Sequence, residues 1–248
     1  MSKVKAIVLA AGKGTRMQSE TCRLPKVLRQ ACGKPLLYHV LRQLEFLKPE
    51  DIVLVVGYLH EEVEAAFPGY AAALQEPQLG TGHAVQCAEA YLKAFDGTVL
   101  VCYGDMPLVR REVYEELLRR HAASGAQCTL LSGTCEEPLP YGRVLTDGDD
   151  NFIAVVEDRD CTPEQRAIRD LNVGIYAFDC HALLDGLSRL QNHNVQKEYY
   201  LTDVPALIQA SGGRVRVYKA ALNEQIIGVN TPEQLAETER YLRLRGEA

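Results

Sequence analysis

The chain has 248 residues, 47% hydrophobic and 24% charged, with a formal net charge of -6 at pH 7. That length suits one large α/β domain or two small ones, and the composition is that of an ordinary soluble globular protein. The acidic balance argues against a general nucleic-acid binder, no apolar run approaches the ~20 residues of a membrane span, and no signal peptide precedes the first apolar run.

Eight cysteines (22, 32, 87, 102, 128, 135, 161 and 180) are scattered without a C-x-x-C pair. That pattern speaks for reduced thiols in the cytoplasm and against a zinc site or a disulfide framework. Cys102 lies inside the apolar run Val99 to Tyr103, where a free thiol acts as a small hydrophobe.

Val4 to Ala10, apolar and β-branched around one lysine, predicts a buried first strand. It breaks into Ala-Ala-Gly-Lys-Gly-Thr-Arg. Small side chains there let a ligand approach the backbone, and the glycines permit the φ > 0 geometry that turns N–H groups toward an anion. Lys13, Arg16 and Lys26 add full charges, so this stretch is the candidate polyphosphate site. A lone G-x-G is weak, because any strand-to-loop turn can carry glycines. Met17 stands where a dinucleotide fingerprint needs its third glycine, and no G-x-x-x-x-G-K-[ST] is present. Leu24 and Pro25 imply a long open loop instead.

Pro35 opens a predicted helix with apolar spacing at Leu37, Val40, Leu41, Leu44 and Leu47, ended by Pro49. Strand Ile52 to Val56, helix His60 to Phe67 and strand Tyr70 to Gln75 follow. A helix from Thr81 or Gly82 to Ala94, strand Thr98 to Tyr103, helix Glu112 to Ser124 and strand Cys128 to Ser132 continue the alternation. The alternation predicts a mostly parallel, doubly wound sheet. From Tyr141 the texture changes to strand-like pieces (142–146, 152–157, 171–178) joined by polar turns, which suggests antiparallel additions. Helices 181–190 and 201–210, strands 214–218 and 225–229, and a closing helix at Pro232 with Thr231 as its N-cap complete the chain.

Two further stretches carry chemistry. Gln75 to His83 reads QEPQLGTGH, a glycine pair at a helix start suited to a flat ring or an anion, or simply an ordinary helix start. Tyr103 to Leu108 reads YGDMPL at the carboxyl end of a strand, the edge where doubly wound sheets bind ligands. A lone aspartate there is often a cap or a turn former. Gly104 and Pro107 favour a hard-oxygen ligand for Mg²⁺.

LAAGKGTRM with LPKVL, then QLGTGH, YGDMPL, YGR, EYYLTD and GVN, in that order, resembles the sugar-nucleotidyltransferases. The closest resemblance is to the N-terminal uridylyltransferase domain of the bacterial GlmU family. It implies a Rossmann-like doubly wound, mostly parallel sheet with an antiparallel sugar-side lobe. It also implies a Mg²⁺-dependent enzyme that makes UDP-N-acetylglucosamine, a cell-wall precursor, and pyrophosphate from UTP and N-acetylglucosamine 1-phosphate. By resemblance Arg16 and Lys26 are the catalytic cations. Leu9, Ala10, Ala11, Gly12, Gly14, Lys26, Gln75, Gly80 and Thr81 hold the nucleotide. Tyr103, Gly104, Gly142, Glu157, Asn172, Tyr199 and Thr202 hold the sugar, and Asp105 with Asn230 holds the metal. An amide that presents both donor and acceptor can read a pyrimidine edge, which is the physical reason for Gln75. Taken alone, Glu157 reads as a solvated strand-end carboxylate, and Thr202 or Asp203 as a helix N-cap.

The chain departs from that family in three places. The loop Ser19 to Arg23 is slightly longer, Val173 replaces a threonine and removes a hydroxyl, and no hexapeptide repeats of an acetyltransferase β-helix occur. The expectation is one nucleotidyltransferase domain over 1–248. Residues 1–110 and 225–235 form its nucleotide and metal side, 135–222 its sugar-side lobe and 231–246 its closing helix. Acetyl transfer is not expected, and a monomer or weak dimer is. Rival readings are a uridylyl- or thymidylyltransferase acting on glucose 1-phosphate and a non-catalytic nucleotide-sugar sensor.

Overall fold

The computed structural model describes residues 3–14, 17, 23–134, 139–149 and 151–247. Arg16 and positions 19–22 of the longer loop lie outside the described residues.

Eleven strands are found among the described residues: β1 (Val4–Leu9), β2 (Gln30–Ala31), β3 (Lys34–Pro35), β4 (Ile52–Val56), β5 (Ala71–Leu74), β6 (Thr98–Tyr103), β7 (Cys128–Thr134), β8 (Arg143–Thr146), β9 (Phe152–Val156), β10 (Leu171–Asp179) and β11 (Val215–Ala221). The helices are α1 (Leu36–Gln43), α2 (His60–Ala66), α3 (Thr81–Cys87), α4 (Arg111–Ser124), α5 (Pro163–Arg166), α6 (Cys180–Ser188), α7 (Val204–Ala210) and α8 (Pro232–Leu244).

The main sheet runs β11-β7-β10-β6-β1-β4-β5, with β8 and β9 attached beside β10. Strands β4, β1 and β6 are mutually parallel, β5 is parallel to β4, and β11 is parallel to β7. Strand β10 runs antiparallel between β6 and β7. The doubly wound, mostly parallel sheet with an antiparallel addition is therefore the fold found.

Alternate residues of each strand feed the two faces, as a pleat requires. Ile7 and Leu9 face the layer of α3, α6 and α7, anchored by Val85, Leu183 and Ile208. Ala6, Val8 and Ala10 face α1, α2 and α4 through Leu37, Val63 and Leu117. A third, smaller cluster packs Leu242 of α8 with Ala31, Leu36, Leu108 and Val229. Burial on both faces explains why β1 and β4 read as continuous apolar runs rather than alternating ones.

Several predicted boundaries move. Helix α1 ends at Gln43, because Leu44 and Leu47 close successive turns onto Leu41 and Leu44. Helix α3 ends at Cys87 and passes into a 3-10 turn at Glu89–Tyr91. The strand expected at 225–229 is a 3-10 turn, Asn223–Ile226, followed by extended chain. Its apolar residues Ile226 and Val229 enter different core clusters, and its backbone bonds go to a side chain and a loop instead of a ladder. Thr231 does cap α8, in a capping box with Gln234.

Candidate active site at the carboxyl edge of the sheet

Strands β1 and β6 are neighbours in register, with Leu9 opposite Tyr103, so both release their following loops at one sheet edge. Chain connections leave β1 toward β4 on one side and reach β6 on the other, which opens the crevice typical of such a switch point. Gly104 N–H donates to Leu9 O at 2.9 Å and ties the two loops together.

A cavity of about 460 Å³ opens there. Leu9, Ala10, Ala11, Gly12 and Lys13 line one wall, and Gln75, Gly80 and Thr81 another. Lys26, Tyr103, Asp105 and Asn230 also line it. A second cavity of about 160 Å³ lies beyond, lined by Gly142, Glu157, Asn172 and Gly174 among others. The two cavities share Tyr103, Asp105 and Asn230.

Lys26, the first residue of a 3-10 turn after Pro25, sends its ammonium to both residues predicted to hold a metal. Its Nζ is paired with Asp105 Oδ2 and donates to Asn230 Oδ1 at 3.1 Å. The Lys26 and Asp105 side chains are 13% and 16% exposed, so the pair is largely shielded from solvent. Asn230 is held from several directions. Val229 N–H donates to Asp105 O at 2.9 Å, and Asn230 N–H donates to Gln234 Oε1 at 2.8 Å inside the capping box. Tyr141 OH donates to Ile226 O and accepts from Gly228 N–H, both at 2.8 Å.

The glycines at 80 and 82 serve packing as well as access. A Cβ on Gly80, at φ +110, would lie 2.6 Å from Tyr199 O. Tyr199 N–H donates to Leu79 O at 2.8 Å, Gly82 N–H donates to Tyr199 O at 2.8 Å, and Leu201 N–H donates to Thr81 Oγ1 at 3.0 Å. The Gly82 N–H, read from sequence as open to an anion, is thus engaged by the 199–201 segment. That segment carries Glu198 to the rim of the larger cavity.

In the smaller cavity Glu157 accepts from Thr202 Oγ1 at 3.0 Å. Burial pushes the Glu157 carboxyl above its ordinary range, Thr202 opposes that shift, and nearby Asp203, Asp160 and Glu198 add to it. Glu157 is therefore a partly buried, hydrogen-bonded group and not the solvated strand-end carboxylate of the local reading. Thr202 and Asp203 do not act as side-chain helix caps either, because the Thr202 hydroxyl is turned to Glu157.

Of the remaining predicted residues, Gly14 (φ +63), Gly104, Tyr199 and Thr202 line neither cavity. Sequence reading gave no site role to Gln78, Glu198, Tyr141 or Gly228, which do line them. Tyr141, Glu198 and Gly228 belong to motifs already singled out, so their signal was present. Gln78, which donates to Ala11 O at 3.0 Å, likewise stands in the QLGTGH motif. Val173 is 3% exposed and belongs to the same apolar cluster as Leu222 and Ile226, although it also borders the smaller cavity. The six cysteines among the described residues are free thiols, and no described helix is long and apolar enough to cross a membrane.

The architecture is that of the nucleotide-sugar transferase fold. It superimposes with a TM-score of 0.75 on a crystal structure from Bacillus anthracis named provisionally as a glucose-1-phosphate thymidylyltransferase, in complex with sucrose. That likeness covers 97% of this chain and 96% of the other at 19% identity. The MobA-like NTP transferase domain family matches residues 6–159, and the chain belongs to it. Curated relatives include the bifunctional protein GlmU of Alkaliphilus metalliredigens, 44% identical over 98% of this chain and 53% of that protein. The GlmU of Geobacillus thermodenitrificans is 42% identical over 99% of this chain and 53% of its own length. The chain spans about half the length of these curated relatives. The relationship read from LAAGKGTRM and its companion motifs is thus the one found.

Proposed function

We propose that this chain, acting as one nucleotidyltransferase domain, transfers a uridylyl group from UTP to N-acetylglucosamine 1-phosphate. The products are UDP-N-acetylglucosamine and pyrophosphate. The observation that carries the reading is the shared wall: two adjoining cavities, of about 460 and 160 Å³, meet at Tyr103, Asp105 and Asn230, and the Lys26 ammonium reaches both Asp105 and Asn230 from the larger one. Similarity to GlmU proteins over nearly the whole chain supports the choice of substrates.

The sugar phosphate oxygen attacks the α-phosphorus, a new P–O bond forms, and the bond to the β-phosphate oxygen breaks to release pyrophosphate. The nucleophile is already ionised at neutral pH, so no general base is required. The barrier lies in bringing two anions together and in the charge on the leaving group, and the protein's task is positioning and electrostatics. Lys26 supplies a fixed cation at the junction of the cavities. Backbone of the 10–14 loop offers N–H groups to the triphosphate, with Arg16 assigned from its motif as a second cation. Glu157 and Asn172 orient the sugar hydroxyls, and Gln75 faces the base.

The donor set at the junction fits Mg²⁺. A carboxylate and an amide oxygen already converge on one cation in a shielded site, and hard oxygens are what Mg²⁺ takes. Bound by Asp105 and Asn230, Mg²⁺ would neutralise charge between the α-phosphate and the incoming sugar phosphate.

The test is pyrophosphate release with Mg²⁺, crossing UTP and dTTP against N-acetylglucosamine 1-phosphate and glucose 1-phosphate. Release confined to UTP with the N-acetyl sugar is expected. Equal rates with glucose 1-phosphate would overturn the sugar assignment, and binding of UTP without release from any pair would make the chain a sensor.

A further inference from the structure

Gln75, 4% exposed, follows the edge strand β5 and borders the larger cavity. Its Nε2 donates to Gly80 O at 2.9 Å and lies 3.3 Å from His83 Nδ1. A primary amide nitrogen carries two N–H donors and no acceptor lone pair, so His83 Nδ1 is the acceptor of that contact. Turning the amide over would set its oxygen against a carbonyl oxygen and a ring nitrogen lone pair, so the hydrogen-bond network fixes one orientation. Burial lowers the pKa of His83, which keeps the ring neutral at pH 7. A neutral ring that accepts at Nδ1 carries its proton on Nε2, and Nε2 lies 3.8 Å from Cys87 Sγ, a weak acceptor one helical turn on. Both amide N–H groups are thus engaged within the protein, by Gly80 and by His83. What Gln75 has left to offer is Oε1, an acceptor. The double donor-and-acceptor role suggested by the sequence is reduced to one half.

We propose that His83 is a positioning residue for base recognition. It locks the Gln75 amide so that Oε1 meets the base, and the site takes a pyrimidine with a ring N–H, as in uracil, over one with a ring lone pair, as in cytosine. This rests on the uridylyl-transfer reading and deepens it by assigning the base discrimination to a side chain that does not line the cavity itself. A site that commits a buried acceptor to a ring N–H disfavours a ligand lacking it, because acceptor then faces acceptor and the buried group stays unpaired.

The experiment is calorimetric binding of UTP and CTP, each with Mg²⁺, to the whole chain and to His83→Phe, which keeps a ring and removes both nitrogens. Wild type should prefer UTP, and His83→Phe should lose on the order of tenfold or more of that preference, the worth of one buried hydrogen bond. A double-mutant cycle separates positioning from general structural damage. In a Gln75→Ala background, His83→Phe should change the UTP-to-CTP ratio no further. A second measurement needs no variant: 3-methyl-UTP, whose ring N–H is blocked, should bind wild type about as weakly as CTP. If wild type prefers UTP and His83→Phe keeps the full preference, or if 3-methyl-UTP binds like UTP, this proposal falls and uridylyl transfer stands. If wild type binds neither nucleotide, the uridylyl-transfer reading falls first and takes this proposal with it.

Discussion

Lys26 Nζ donates to Asn230 Oδ1 at 3.1 Å across 204 positions of chain, while also pairing with Asp105. One ammonium thereby joins the phosphate-side loop, the end of β6 and the segment that leads into α8. Replacing Lys26 by alanine removes the fixed cation at the point where the two proposed substrates meet. Loss of one preorganised charge of this kind costs about 3–4 kcal/mol in transition-state stabilisation, on the order of 10²–10³ in kcat. Pyrophosphate release at saturating substrates reads it directly. Near-wild-type turnover of Lys26→Ala would remove Lys26 from the chemistry.

Much of this site was legible because it is built from short local signals. An apolar strand that ends in small residues, as at Leu9 to Gly12, declares a loop at a sheet edge, and YGD after Val99 to Cys102 does the same. Pairing was not legible from spacing: nothing local brings Lys26 or Asn230 to Asp105, and the family pattern joined Asn230 to Asp105 but gave Lys26 no contact with either. The segment 225–229 misled because apolar content encodes burial and not the partner. Ile226 and Val229 are both fully buried, yet Gly228 N–H goes to Tyr141 and Val229 N–H to Asp105 O. Gly80 read as room for a ligand and is equally room for Tyr199. A glycine reports close approach without saying of what.

Tyr141→Phe tests whether the sugar side holds the Asn230 segment in place. The lost hydroxyl leaves Ile226 O and Gly228 N–H without their partner, four and two residues before Asn230. Removing one such group costs about 1–3 kcal/mol. The urea midpoint should fall accordingly, and the Mg²⁺ concentration that half-saturates pyrophosphate release should rise several-fold. Lower stability with an unshifted metal requirement would mean that Tyr141 only supports the fold.

Glu157→Gln should separate stability from binding through pH. The Glu157 carboxyl is held above its ordinary range by burial, so the folded protein binds its proton more tightly than the unfolded chain does. The group's favourable contribution is complete below the unfolded value of about 4.3 and is lost as pH rises through the higher folded value. Glutamine keeps an oxygen for Thr202 and does not ionise. The variant should therefore gain stability relative to wild type at pH 7.5 but not at pH 4, while binding sugar 1-phosphate more weakly. Urea midpoints at the two pH values decide it, and an equal offset at both would show that Glu157 ionisation is not coupled to folding.

Gly174→Ala should damage fold and site together. Gly174 sits at the irregularity of β10 between Asn172 and Tyr176, with φ +76, and an added Cβ would land on the Tyr103 ring. The left-handed backbone costs a side-chain-bearing residue about 1–2 kcal/mol, and overpacking adds about 1–3 kcal/mol. Because Tyr103 borders both cavities, relief by moving its ring should raise KM for nucleotide and sugar phosphate alike. A loss of roughly 2–5 kcal/mol in urea unfolding is the expected result. An unchanged midpoint would mean that β10 and Tyr103 shift freely, and the close fit at the shared wall would then carry no constraint on either substrate.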